Sequence, residues 1–186
     1  MMAARSSPRR QRGTSLIEVL VTVVILATGL LGVAGLQSRL QVSEMETYQR
    51  TQAMILLEDM AHRLSANRIN AASYITTTAV AGSAACESAT ATLRDLDMRE
   101  WCSALKGAAE KSGTSNVGAM IGGRGCVQLL SSNEYMITVA WQGMAPVSAP
   151  SSGVSCGKDL YDGGQCADDK CRRAVTTIIR FARLTT

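Results

Sequence analysis

Residues 13–37 read GTSLIEVLVTVVILATGLLGVAGLQ, and the fold turns on them. Within this stretch Leu16 to Leu36 is 21 residues long and carries one charged side chain, Glu18. As a helix rising about 1.5 Å per residue it reaches about 31 Å, close to the thickness of a bilayer's hydrocarbon core. Just before it, residues 1–13 hold Arg5, Arg9, Arg10 and Arg12 and no acidic residue. Positive charge ahead of an apolar span predicts the N-terminus in the cytoplasm and the C-terminal bulk outside. A secretory signal peptide has a shorter apolar run followed by a small-residue cleavage site. Here the run is longer and the distinctive residues precede it, so the span is expected to persist as an anchor.

The 186 residues leave room for that anchor and one ordinary domain. The formal charge of +4 is unevenly placed: removing the four leader arginines from 19 basic residues leaves 15, equal to the 15 acidic ones. A formally neutral remainder gives little support to general nucleic-acid binding, which leaves Arg172 and Arg173 as a local basic patch. One Phe, two Trp and four Tyr favour a small aliphatic core over a large aromatic-lined pocket.

Six cysteines, Cys86, Cys102, Cys126, Cys156, Cys166 and Cys171, all fall in the expected outer region. An even number in an exported domain favours disulfides, with the pairing open. A zinc site is disfavoured, because no paired C-x-x-C spacing occurs and the single His62 is far from them in sequence. Asp159, Asp162, Asp168 and Asp169 carry oxygen ligands suited to Ca²⁺ but lack EF-hand spacing, so they read as solvated loop charges. No nucleophile elbow or paired catalytic motif is present, and Gly118 to Gly125 lacks the terminal Gly-Lys-Ser/Thr of a phosphate loop. The sequence therefore gives no catalytic residue, no metal and no cofactor.

Gly13 before Thr14, Glu18 five residues beyond Gly13, a basic leader and an uninterrupted apolar helix together resemble a type IV prepilin signal. Lacking a Cβ, Gly13 lets extended backbone approach a protease closely. The resemblance implies a prepilin peptidase that cuts at Gly13–Thr14, freeing a new amine on Thr14 that is a candidate for N-methylation. Most family members have Phe where this chain has Thr14. In the family the equivalent Glu pairs with a neighbouring subunit's N-terminal amine, so Glu18 is implied as a subunit contact. Gly29, Gly32 and Gly35 allow close helix approach and weaken the helix, or reflect the frequency of glycine in membrane spans. Residues 19–37 and LLEDMAHRLSANR, residues 56–68, resemble the minor pilins of the PilV type; the pseudopilins of type II secretion share the first string's style.

These features imply a minor pilin that initiates or caps a pilus and supports twitching motility and adhesion. The alternatives are a type II secretion pseudopilin and a tip-exposed adhesin or DNA-binding module. Implied partners are prepilin peptidase, the major and other minor pilins, the inner-membrane assembly machinery and the membrane itself. Implied locations are the bacterial inner membrane, head in the periplasm, and then the filament.

The expected fold is α+β and pilin-like. Residues 1–13 form a leader, 14–37 a membrane and filament-core helix, 38–66 an amphipathic helix, and 67–186 a small antiparallel head stapled by disulfides. Leu40, Met45, Ile55, Leu56, Met60 and Leu64 mark the amphipathic stripe. Asn67 to Asn70 ends the helix, and residues 71–92 read as a surface loop. A second helix is expected over Leu93 to Lys111, then a glycine-rich connection over Gly113 to Gly125. Strands are expected over Cys126 to Leu130, Glu134 to Gln142 and Ala174 to Leu184, with Ala145 to Asp169 as a loop. In Glu134 to Gln142, Tyr135, Ile137, Val139 and Trp141 share one face and Met136, Thr138 and Ala140 the other. The resemblance also places a bridge beside the last strand: Cys166–Cys171, or Cys156 with one of them.

Overall fold

The computed structural model describes residues 15–108, 110–118 and 120–182, and the chain divides into two compact units after Ser43. Helix α1, Leu16–Ala66, crosses that division. Up to Ser43 it is exposed on all sides. Within the second unit it buries Gln49, Ala53, Leu57, Met60 and Leu64. Their spacing of four, four, three and four residues is one face of a helix. This corrects the expected stripe. Met60 and Leu64 are buried as expected and Leu56 is partly so, but Leu40, Met45 and Ile55 are exposed. Ile55 lies two residues from both Ala53 and Leu57, which turns it to the opposite side of the helix.

After α1 the chain makes a 3-10 segment, Arg68–Tyr74, and a two-residue strand β1, Val80–Ala81. Ala71 and Tyr74 are buried, so the expected surface loop over residues 71–92 is anchored at its start. Helix α2 spans Leu93–Leu105. Thr92 caps it: its hydroxyl accepts from the Asp95 N–H at 3.2 Å while its own N–H donates to the Asp95 carboxylate at 3.1 Å. These bonds hold the Asp95 carboxyl below its ordinary range. The helix stops short of the expected Lys111 because Gly107 takes φ +82°. There the Gly107 N–H meets the Ala104 carbonyl at 2.8 Å and the Ala108 N–H meets Ser103 at 3.0 Å, a Schellman ending. The expected glycine-rich connection instead begins with a short hairpin, β2 (Lys111–Ser112) and β3 (Ser115–Asn116).

The main sheet is antiparallel, in the order β1-β4-β5-β6, with β4 at Arg124–Ser131, β5 at Glu134–Gln142 and β6 at Arg172–Arg180. Strand β5 has the expected bounds. Strand β6 begins two residues earlier than expected and ends at Arg180; the expected extension over residues 183–184 lies outside the described residues. Tyr135, Ile137, Val139 and Trp141 share the main core with the buried faces of α1 and α2. At its centre Trp101 is fully buried, and its indole N–H donates to the Leu56 carbonyl at 2.9 Å.

The other face of β5 is also buried. Cys126, Ala140, Cys156 and Tyr161 form a second, smaller cluster there. Its cover is the chain between β5 and β6, which has no regular structure, as expected, yet is packed onto the sheet. Cys126–Cys156 ties it to β4, and Cys166–Cys171 closes its end. Arg172, buried, bonds Asp169 at 3.0 Å and donates to the carbonyls of Val154 and Cys156 at 2.6 and 3.1 Å. Tyr161 donates to the Gly122 carbonyl at 2.9 Å and lies 4.6 Å beneath the Arg124 guanidinium. The third disulfide, Cys86–Cys102, holds the segment before α2 to that helix.

A polar network joins the end of α1 to α2. Arg63 donates to Asp59, Asp97 and Glu100 at 3.0, 2.9 and 2.8 Å. Asp97 also accepts the Tyr74 hydroxyl at 2.5 Å. Burial, reinforced by that hydrogen bond to a carboxylate, pushes the Tyr74 phenol up to about 12.

Two predictions follow from this packing. At Gly125 an added Cβ would overlap the Trp101 ring. Gly125→Ala should therefore destabilise the head by about 1–3 kcal/mol, read as a lower urea midpoint by tryptophan fluorescence. The second concerns alkaline pH. Folding favours the neutral Tyr74 phenol, because its folded value lies above the ordinary 10.0. That contribution is complete below pH 10 and is lost as the pH rises through about 12. Stability curves should fall over that window, and Tyr74→Phe should flatten the fall; an unchanged slope would refute the assignment.

Candidate functional site

Ser15 immediately precedes helix α1, and its carbonyl accepts from the N–H groups of Glu18 and Val19 at 2.9 and 3.2 Å. Glu18 thus sits in the first turn, three residues after a serine, where a carboxylate meets the positive end of the helix dipole. From Leu16 to Leu36 every side chain is exposed, including Leu16 at 84% and Leu31 at 73%. The two threonine hydroxyls in the span do not interrupt its apolar surface. Thr22 donates to the Val19 carbonyl at 2.9 Å, and Thr28 to those of Val24 and Ile25 at 3.1 and 3.0 Å. At Gly29, Gly32 and Gly35 an added Cβ would meet nothing within 4 Å, so one row of the helix is open to close approach. Length and hydropathy suit this segment to cross a membrane. Gly13 and Thr14, the expected cleavage pair, lie outside the described residues, as does the rest of the leader.

The head supplies fewer candidates. Arg172 and Arg173 do not form a free basic patch: Arg172 is buried against Asp169, and Arg173 bonds Glu46 at 3.2 Å and the Ala145 carbonyl at 2.8 Å. Glu46 also accepts the Met144 N–H at 2.9 Å, and Tyr48 donates to Glu110 at 3.0 Å, so this part of α1 is tied to the head by polar contacts. The loop aspartates are engaged with the chain itself. Asp169 accepts the Asp159 N–H, and Asp162 accepts the Asp169 N–H, each at 2.9 Å. Among the described residues no three His, Cys, Asp or Glu side chains group as metal ligands. Two shallow cavities, of about 180 and 260 Å³, flank Thr76 to Ala79, and neither is lined by an aromatic side chain.

The most distinctive feature among the described residues is the first part of α1: Leu16 to Leu36 is a long apolar surface with one carboxylate, Glu18, near its start. Residues 8–34 match the family model for the prokaryotic N-terminal methylation motif. No curated protein and no solved structure matches the chain. The matched motif is the kind of N-terminal signal found in type IV pilin-like prepilins, and the long apolar helix followed by a disulfide-bearing antiparallel sheet is an α+β, pilin-like arrangement.

Proposed function

We propose that the chain is a minor pilin, cut by prepilin peptidase between Gly13 and Thr14 and built into a type IV pilus that it helps to initiate or cap. The observation that carries this is Glu18, the one charge in an exposed apolar helix that follows a prepilin signal. A carboxylate near a bilayer centre costs about 2.5–3.5 kcal/mol on insertion scales, and less near the edge. In a filament its partner is the amine that cleavage creates on Thr14 of a neighbouring subunit. The cut thus removes four arginines and supplies a cation in the same step. The likeness of residues 19–37 and 56–68 to minor pilins of the PilV type supports a low-copy role. The major pilin, other minor pilins and the inner-membrane machinery are its partners, and Thr14 is its site of N-methylation. Residues 14–37 then serve as membrane anchor before assembly and as filament core after it. Twitching motility and adhesion are the functions such a filament supports. A type II secretion pseudopilin would use the same Glu18 chemistry in a different machine.

Glu18→Ala should leave membrane insertion intact and sharply lower the amount of subunit in sheared surface filaments; unchanged incorporation would count against the Glu18 role. Mass spectrometry of the mature N-terminus should find Thr14 first, heavier by one methyl group. An uncut chain in cells with active prepilin peptidase would overturn the processing step. Deletion should impair twitching rather than exoprotein export, and the reverse result would favour the pseudopilin.

A further inference from the structure

The three disulfides join the cysteines in order of appearance: first with second, third with fourth, fifth with sixth. No bridge encloses or crosses another. Four of the six residues are buried, with Cys102, Cys126, Cys156 and Cys171 exposed by 1, 7, 2 and 0%. The Cys126–Cys156 bridge is buried at both ends, in the small cluster that the chain between β5 and β6 covers. Oxidases and isomerases act through a mixed disulfide and must reach a sulfur directly. That bridge must therefore close before its cover packs down, when no native contact of the cover directs the choice of partner.

We propose that the head is oxidised in its order of emergence by a dithiol oxidase on the outer side of the membrane, and needs no disulfide isomerase. This rests on the topology proposed above, in which residues nearest α1 emerge first. In each round a cysteine thiolate attacks the oxidase disulfide and expels one oxidase thiolate. The next cysteine then attacks the mixed disulfide at the substrate sulfur. The two thiol protons and two electrons end on the oxidase, which leaves as a dithiol. At about 5–20 residues per second, the 24 residues from Cys102 to Cys126 take about 1–5 s to emerge and the 10 from Cys156 to Cys166 about 0.5–2 s. Enzymatic disulfide formation reaches seconds, so each pair can close before the next cysteine competes. Consecutive closure by itself yields the pairing observed.

The test is the full chain expressed in strains lacking either the oxidase or the isomerase, with free thiols trapped by alkylation and bridged peptides identified by mass spectrometry. Loss of the oxidase should abolish all three bridges, and loss of the isomerase should leave all three intact. Cys86→Ser should leave Cys102 unpaired when Cys126 emerges. Without isomerase the pairs should then shift to Cys102–Cys126 and Cys156–Cys166, with loss of Cys126–Cys156; supplying isomerase should restore it. Cys171→Ser, at the other end, should leave both earlier bridges unchanged in either strain. Retention of Cys126–Cys156 in the isomerase-free Cys86→Ser variant would overturn the proposal, because folding would then be choosing partners. So would wild-type pairs that need isomerase. Reduced cysteines in a head protected from protease added to spheroplasts would instead locate the failure in the topology, and would remove the proposal with it.

Discussion

The head depends on strand β5 being covered on both faces. Seven consecutive residues, Tyr135 to Trp141, are buried, and antiparallel neighbours pair with the strand along both edges. A small antiparallel sheet ordinarily leaves one face to water. Here one face receives α1 and α2, and the other receives chain with no regular hydrogen bonding of its own. Those two covers need different physics. The helices bring preformed apolar stripes. The irregular segment brings Tyr161, a disulfide and the buried Arg172–Asp169 pair, and it must be ordered residue by residue at a cost in backbone entropy of about 1–2 kcal/mol each.

That cost explains where the cross-links fall. In the chain-entropy account, closing loops of 16 and 30 residues stabilises by about 3–4 kcal/mol each. Both bridges act on segments that could not hold themselves: the stretch before α2, and the outer cover of the sheet. Arg172 acts in the same region by a different route. Its guanidinium reaches Asp169 and two carbonyls of the cover, so several polar groups are satisfied by one side chain at the root of β6. Removing either charge would leave the other buried and unpaired, the costly case for an ion pair.

Regular patterns were legible in the sequence, and contacts made through residues of ambiguous character were not. Alternation placed β5 to the residue, because β-branched and aromatic side chains recur with period two. The stripe on α1 is obscured at Ile55 because the face that packs includes Ala53 and Gln49, whose small and polar side chains carry little signal beside Met54 and Ile55. Gly107 was a stop signal inside an apparently helical run. Tyr74 sits in a stretch rich in Ala, Ser and Thr, and its burial follows from Asp97 and Asn67, which are distant partners invisible to local pattern. Glu18 was legible because a single charge inside an apolar helix stands out, whatever the rest of the chain does.

The same element shows why burial alone does not mark function here. In the head, α1 shields its apolar face with its own chain, and its charged residues Glu46, Asp59 and Arg63 find partners within the domain. Toward its N-terminus the helix exposes Val, Leu and Ile on every side, and water is a poor solvent for such a surface. A lipid bilayer accommodates it, with Glu18 near the edge where hydration persists. A packed bundle of like helices accommodates it as well, provided each carboxylate meets a cation. The proposed leader cut would change which of these environments suits the segment better, because it would remove four arginines and leave a new amine four residues before Glu18 in sequence.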